Sequence, residues 1–431
     1  MTDNALTDDG SAPPHIVVIN RWREQYARYA EYVDHGTHHV SYITTEVGLP
    51  AVPETAVDVV LVERTDDLDA VRAATRLLAA RHGRPRGIVT LKEDDLLVAA
   101  ALREEWDCPG PRTAFLEPFR DKFLMATAVA ETGVEVPDFA LAPDARTVVE
   151  FGRAHGWPLV VKPTRGSCSE GVVRLDGPAD VPRLDFTGEP LLVQRFQAGR
   201  IYHVDGVFTG EELLHWTASR YVNTCLGFRS GSFLGSVEED DETVLAAIGV
   251  SAVRCLRALT GEATVFHLEV FVDMVSGQPH VSFLEVGARV GGAEIAFVWR
   301  EVHGYDLMNA AFQLQLERPL PPGAPKPDRE LGGYLLIPAP AARPCRITEV
   351  TPMTGLTPGP YAEALLGEGE VLPLADAYYE HVGGRFRFRG RSSREVEAAL
   401  KATATGFRVA AVPVGPAAVT EPVAVADMVA A

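Results

Sequence analysis

One stretch constrains the chain more than any other. It runs His267-Leu268-Glu269-Val270-Phe271-Val272-Asp273, then Val281-Ser282-Phe283-Leu284-Glu285-Val286-Gly287-Ala288-Arg289. Both halves have strand composition, and Val275-Ser276-Gly277-Gln278-Pro279 between them has hairpin turn chemistry. A turn centred on Gly277 sets Glu269 directly opposite Glu285. Residues so opposed have Cβ atoms about 4.5–5.5 Å apart. The two-residue period of a strand then places Glu285 and Arg289 on one face. Facing carboxylates repel each other unless something compensates. A divalent cation does so: Mg²⁺ takes one or two carboxylates together with phosphate and water oxygens. Arg289 beside it suits a phosphate, held in a planar fork. A solvated hairpin face with an ordinary Glu/Arg ladder is the competing reading, and a one-residue slip in register removes the pairing.

Two lysines point the same way. Leu159-Val160-Val161 is an apolar strand leading into Lys162, followed by the loop Thr164-Arg165-Gly166-Ser167-Cys168-Ser169-Glu170-Gly171. Small residues let backbone N–H groups approach an anion, hydroxyls add donors, and the lysine supplies a point charge. The order is not that of a P-loop, where the lysine follows the glycines. Lys122 sits at the start of a helix expected over Asp121 to Thr132, and a helix N-terminus favours anions. A plain turn and a surface lysine are the bland alternatives.

The rest of the chain supplies the frame. Residues 1–14 are small and acidic, unlike a secretory signal, and are expected to be disordered. Over 15–110, strands alternate with helices, including one expected from Glu24 to Val33, which implies a doubly wound open sheet. No GxGxxG follows the first strand. Over 111–320 the pattern becomes α+β. Pro319 to Pro327 reads as a proline-rich joint, 328–412 as a small α+β lobe, and 413–431 as a flexible tail. Forty Lys and Arg against 59 Asp and Glu leave a formal charge of −19. That argues against nucleic acid and anionic membranes as partners, since both need a positive surface. No apolar run approaches the ~18 residues of a membrane span. The five cysteines are scattered and odd in number, which fits a reduced, cytoplasmic protein. Apart from His267, the histidines show no metal-ligand spacing.

Taken in order, Lys122, Lys162 with its small-residue loop, Gln194-Arg195-Phe196 at a strand end, and Glu269…Glu285-x3-Arg289 resemble the ATP-grasp superfamily over residues 15 to 412. Within it, His267-Leu268-Glu269 with Glu285-Val286-Gly287-Ala288-Arg289-Val290-Gly291-Gly292 is most similar to the carboxylate–amine ligases that make dipeptides, the L-amino-acid ligases. The resemblance implies an ATP-grasp fold of mixed α/β and α+β character: an N-terminal doubly wound domain, a nucleotide-binding core and a small C-terminal lobe. It implies ATP and Mg²⁺ as cofactors, two ions, with Mn²⁺ as a substitute. Lys122 and Lys162 contact the phosphates, and the loop carrying Arg165, Gly166, Ser167, Ser169 and Gly171 closes over them. Gln194, Arg195 and Phe196 form the adenine hinge, largely by backbone. Glu269 and Glu285 bind the metal, and Arg289 stabilises the transferred phosphoryl group. Relatives often carry Asn where this chain has Gly287, and an acid after the hinge where it has Ile201. His203 or Asp205 is the expected ribose substitute. Gly291-Gly292-Ala293-Glu294 departs from the bicarbonate-activating subgroup.

The reaction so implied joins a carboxylate to an amine through an acyl phosphate, with ADP released. Arg220, Arg229, Gly291 and Gly292 are the expected substrate contacts, and His267, on the strand face of Glu269, is expected to orient the acyl phosphate or the amine. The partners are small molecules, with a homodimer by analogy. Acylation of a carrier-protein thiol and a non-catalytic nucleotide-binding role are the competing functions.

Overall fold

The computed structural model describes residues 13–23, 26–167, 169–188, 190–323, 330–340, 342–374 and 382–415. Nearly all of the expected disordered N-terminus and flexible tail, and part of the proline-rich joint, lie outside them. No helix among the described residues is long and apolar enough to cross a membrane.

The first domain is a parallel sheet of β1 (His15–Asn20), β2 (His39–Thr44), β3 (Asp58–Leu61) and β4 (Pro85–Thr90), in the order β3-β2-β1-β4. Every residue of β1 is buried, which is why it reads as an unbroken apolar run. The helix Leu68–His82 connects β3 to β4 and starts at Asp67, whose carboxylate accepts from the N–H groups of Asp69 and Ala70. Of the helix expected from Glu24 to Val33, the described part is helical only over Tyr29–Tyr32. There tertiary packing governs. Tyr29 and Tyr32 lie 6.2 and 5.7 Å from the ring of Phe312, on a helix far along the chain.

A four-stranded sheet follows, in the order β5 (Phe139–Ala142), β8 (Leu191–Arg195), β6 (Leu159–Pro163), β7 (Val173–Leu175). The largest sheet has eight strands. It holds β9 (Arg200–Phe208), β10 (Leu213–Tyr221), β11 (Leu234–Glu238), β12 (Thr264–Val275), β13 (Gln278–Gly287), β14 (Leu331–Pro338), β16 (Ala362–Leu365) and β18 (Val382–Gly390). Their order is β13-β12-β9-β10-β11-β14-β18-β16. One face is covered by the helix Glu242–Leu259, whose Ile248, Ala252 and Leu256 pack on Val204, Phe266 and Leu268.

The expected C-terminal lobe joins the core's main sheet. β14 pairs with β11, from Leu234 opposite Leu336 to Val237 opposite Gly333, across the proline-rich joint. The edge of β11 would otherwise present unpaired backbone groups. A three-stranded sheet, β17 (Val371–Leu372), β15 (Cys345–Val350) and β19 (Val409–Pro413), belongs to the lobe by itself.

The β12–β13 hairpin pairs Val275 with Gln278 and continues to Val270 opposite Phe283. Its turn is thus the two residues Ser276-Gly277, both at positive φ (52° and 79°), as a primed hairpin turn requires. That register alone would set Glu269 opposite Leu284. A bulge between Glu269 and Val270 absorbs one residue, and Glu269 pairs with Glu285. The expected pairing is present, reached by a different turn.

Candidate active site

A cleft of about 380 Å³ separates the four-stranded sheet from the β12–β13 hairpin. Lys162, at the end of β6, is 4% exposed and lines it. Burial lowers the Lys162 pKa, while Glu285 and Glu269 favour its charge. Lys122 also lines the cleft. It occupies the first turn of the helix Lys122–Glu131, which Asp121 caps. Its Nζ donates to the carbonyl of Gly166 (2.9 Å), so it ties down the small-residue loop. Arg165 pairs with Glu117 at 2.7 Å, and the Ser167 hydroxyl lies 3.2 Å from Asp94. Arg165, Gly166, Ser167 and Ser169 border the cleft; Gly171 closes the loop at φ 68°.

Gln194, Arg195 and Phe196, at the end of the neighbouring strand β8, also line the cleft. The N–H groups of Arg195 and Phe196 donate to the carbonyls of Asp138 (2.8 Å) and Pro158 (3.1 Å). Gln197 and Ala198, beyond the strand end, line the cleft as well. Val160, Val172, Ile201, Phe271 and Leu284 supply apolar walls. The bulge sends Leu284 and Glu285 to this same side.

Glu269 and Glu285 stand where the cleft meets a second chamber of about 170 Å³. The Tyr221 hydroxyl donates to Glu269 Oε1 at 2.8 Å. Burial opposes the Glu269 charge, but His267 and Tyr221 outweigh it and lower the pKa. Arg289 borders the chamber, and its Nε donates to Glu93 at 2.9 Å. Glu93 also meets Arg120 at 2.7 Å. Burial opposes the Glu93 charge too, yet the two guanidinium groups hold its pKa at about 2. Nothing in the sequence singles out Glu93, which is 196 residues from Arg289.

His203 and Asp205 do not reach the cleft, which corrects their expected ribose role. Cross-strand pairing sets His267 beside Asp205 and Glu269 beside His203. Asp205, 1% exposed, accepts from the Nδ1 groups of His267 (2.8 Å) and His203 (2.5 Å). His203 Nε2 meets the Ser236 hydroxyl at 2.6 Å. The rings of Tyr221 and Tyr334, 5.0 and 6.2 Å from His203, cover this network. Histidines with no metal spacing in sequence thus come together: His203, Asp205 and His267 offer ligand atoms within 4.8 Å of one another. Here those atoms are engaged in hydrogen bonds. Burial opposes the His267 charge, but Asp205 prevails and raises its pKa to about 9.

Gly291 is likewise a roof over this network. A Cβ there would lie 2.4 Å from Asp205 Oδ1 and 2.9 Å from His267 Nδ1. Gly292 borders the chamber; Gly291 does not. Arg220, an expected substrate contact, instead pairs with Glu397 of the helix Ser393–Gly406. The side chain of Arg229 lies outside the described residues.

The segment after β4 hides one further group. Asp95 is fully buried, and burial pushes its carboxyl up to about 7. The unfolded chain releases that proton near pH 4. Stability therefore falls as pH rises from about 4 to 7. Asp95→Asn is expected to stabilise the protein by roughly 2–4 kcal/mol at pH 8, with the gain vanishing near pH 4. Denaturant unfolding at both pH values checks this.

No family model matches the chain. Among curated proteins, an L-arginine-specific L-amino acid ligase of Bacillus subtilis is 23% identical over 331 residues, spanning 73% of this chain and 77% of that protein. Among solved structures, an L-amino acid ligase from Bacillus licheniformis superposes with a TM-score of 0.70. It is 18% identical and covers 93% of this chain and 99% of its own. A carboxyaminoimidazole ribonucleotide synthase from Aspergillus clavatus, solved with ATP, gives 0.65 at 14% identity over 92% and 99%. The chain has the ATP-grasp fold. The resemblance to L-amino acid ligases read from the motifs is thus present in sequence and in architecture. Within the ATP-grasp fold of this chain, the cleft between the sheets carries both lysines and both facing acids.

Proposed function

We propose that the protein is an ATP-dependent ligase joining a small carboxylic acid, of the amino-acid type, to an amine through an acyl phosphate. The pairing of Glu269 with Glu285 at the junction of cleft and chamber carries this reading. The donor set fits a hard divalent cation: two carboxylates on adjacent strands, one held ionised by His267 and Tyr221. Glu269 and Glu285 would hold Mg²⁺, which when bound neutralises phosphate charge.

The chain's own groups do the rest. Gln197, Ala198 and the apolar walls receive the nucleotide base, and Lys162 and Lys122 face the phosphates. The donor carboxylate oxygen attacks the γ-phosphorus. The bond to the bridging oxygen breaks, and ADP leaves with the electron pair. Arg289 meets the charge of the transferred group. The amine nitrogen then attacks the acyl carbon, phosphate leaves with the C–O electron pair, and the amine proton passes to it. In phosphoryl transfer, positioning and charge neutralisation do most of the work. The loop carrying Ser167 and Ser169 keeps water from the acyl phosphate. A chamber of about 170 Å³ suits a small acceptor better than a carrier-protein arm.

The test supplies ATP, Mg²⁺ and single amino acids, with hydroxylamine as a trap for the acyl phosphate. Hydroxamate together with ADP from at least one acid is expected. ADP release that no carboxylate stimulates would remove the ligase reading and favour a nucleotide-binding role.

A further inference from the structure

One short turn of the first domain holds two parts of the active site at once. It is the helical turn Glu93–Asp95, which follows β4. In the order β3-β2-β1-β4 this is the border of β1 and β4, where the chain steps to either side of the sheet. Open α/β sheets bind ligands outside the carboxyl ends of their strands at such a point. Trp22 and Lys92, from the same border, line the chamber. The acids of the turn instead take groups of the core. Glu93 meets Arg289 at 2.9 Å and Arg120 at 2.7 Å. Asp94 meets Arg120 at 3.4 Å and accepts from the Ser167 hydroxyl at 3.2 Å. Asp95, the third acid, is fully buried in the first domain.

The Ser167 contact differs from the other ties of the small-residue loop. Arg165 pairs with Glu117, and the Gly166 carbonyl accepts from Lys122, both within the core. Ser167 reaches across to the first domain. Two residues on, Ser169 borders both the cleft and the chamber. Glu269 and Glu285 stand at the same junction, so the loop walls the place where the reacting groups meet. Ser169 also has a positive φ of 55°. A non-glycine residue keeps that conformation only where its surroundings hold it.

Resting on the ligase reading above, we infer that Asp94 is a positioning residue, which through Ser167 holds the loop against the cleft and so couples ATP use to amide formation. The side reaction it prevents is hydrolysis of the acyl phosphate. A water oxygen attacks the acyl carbon, the C–O bond to phosphate breaks, and phosphate leaves with the electron pair and takes up the water proton. The donor acid is returned, and ADP has been formed without an amide. Glu93, the neighbour of Asp94, holds the arginine that meets the transferred group. One turn of the first domain thus sets both the charge that receives the phosphoryl group and the wall that protects it.

The experiment supplies ATP, Mg²⁺ and the acid that yields the most hydroxamate, with no hydroxylamine. It reads ADP released in excess of all amide products, as a ratio to the hydroxamate rate of the same preparation. That ratio is internal to each variant, so a partly misfolded preparation does not alter it. In Asp94→Ala it rises about 10-fold or more over the wild type, as expected for loss of a hydrogen bond to a charged group. Ser167→Ala raises it by a similar factor, and the double variant raises it no further. Asp94→Asn keeps an acceptor for the Ser167 hydroxyl and loses the charge facing Arg120, so it stays near the wild-type ratio. A merely structural Asp94 would lower stability in these variants and leave the ratio alone. An unchanged ratio in Asp94→Ala, with hydroxamate still formed by the wild type, overturns this inference alone. So do additive effects in the double variant, or an Asp94→Asn as uncoupled as Asp94→Ala. No hydroxamate from any acid overturns both this inference and the ligase reading.

Discussion

Glu285→Gln is expected to lower turnover by at least 10²–10³-fold while leaving the fold intact. Glutamine has the same shape, so the β12–β13 pairing and the bulge have no steric reason to change. What changes is charge. Glu285 is the largest favourable influence on the buried Lys162 ammonium, and it faces Glu269 across the hairpin. Removing it relieves the mutual repulsion of two carboxylates, worth about 0.2–1 kcal/mol in a cross-strand pair. The same change takes away the main support of the buried Lys162 ammonium, so the two effects oppose each other and the ligand-free variant should stay close to the wild type in stability. The expected loss lies in binding: Mg·ADP raises the unfolding midpoint of the wild type and not of the variant. ADP release and thermal unfolding with and without Mg·ADP measure both halves. Near-normal turnover would take Glu285 out of the metal site.

Arg289→Met should reduce turnover by a similar factor and also destabilise the protein, by about 1–3 kcal/mol. The second effect comes from Glu93, which loses one guanidinium and keeps only Arg120. In the wild type the Glu93 pKa, held at about 2, is below that of the unfolded chain. Its contribution is therefore complete above about pH 4.5 and is lost as pH falls towards 2. In Arg289→Met the Glu93 pKa rises, so this acid limb becomes shallower. The double variant Glu93→Gln/Arg289→Met should regain much of the stability and none of the turnover. Denaturant unfolding at pH 3 and 7 of the wild type, Glu93→Gln, Arg289→Met and the double variant gives the coupling directly. A double variant as unstable as Arg289→Met would mean that Glu93 does not depend on Arg289.

Where local patterns decide the structure, the sequence was readable. The apolar run of β1, the capped helix carrying Lys122 and the two hairpin strands each follow from neighbours within a few residues. The facing of Glu269 and Glu285 matches the expectation, but by a route that local patterns did not show. Ser276-Gly277 sets the turn, and the bulge that restores the pairing has no signature in composition.

Long-range placement was not readable. His203 and Asp205 look like polar residues in search of a ligand. They are instead satisfied by His267 and Ser236, because β9 lies beside β12. Arg220 has a partner, Glu397, that belongs to a helix far along the chain. Lys92, Glu93 and Trp22 come from a domain whose internal pattern says nothing of the sheet it faces. The proline-rich joint suggested a boundary, yet hydrogen bonding between β11 and β14 carries one sheet across it.

Anomalous scattering from crystals grown with ADP and Mn²⁺ tests the central claim most directly. The account predicts a manganese peak bridging Glu269 and Glu285, in contact with the nucleotide phosphates. A peak at His203, Asp205 and His267 instead, or these two glutamates turned away from an occupied nucleotide site, would contradict it.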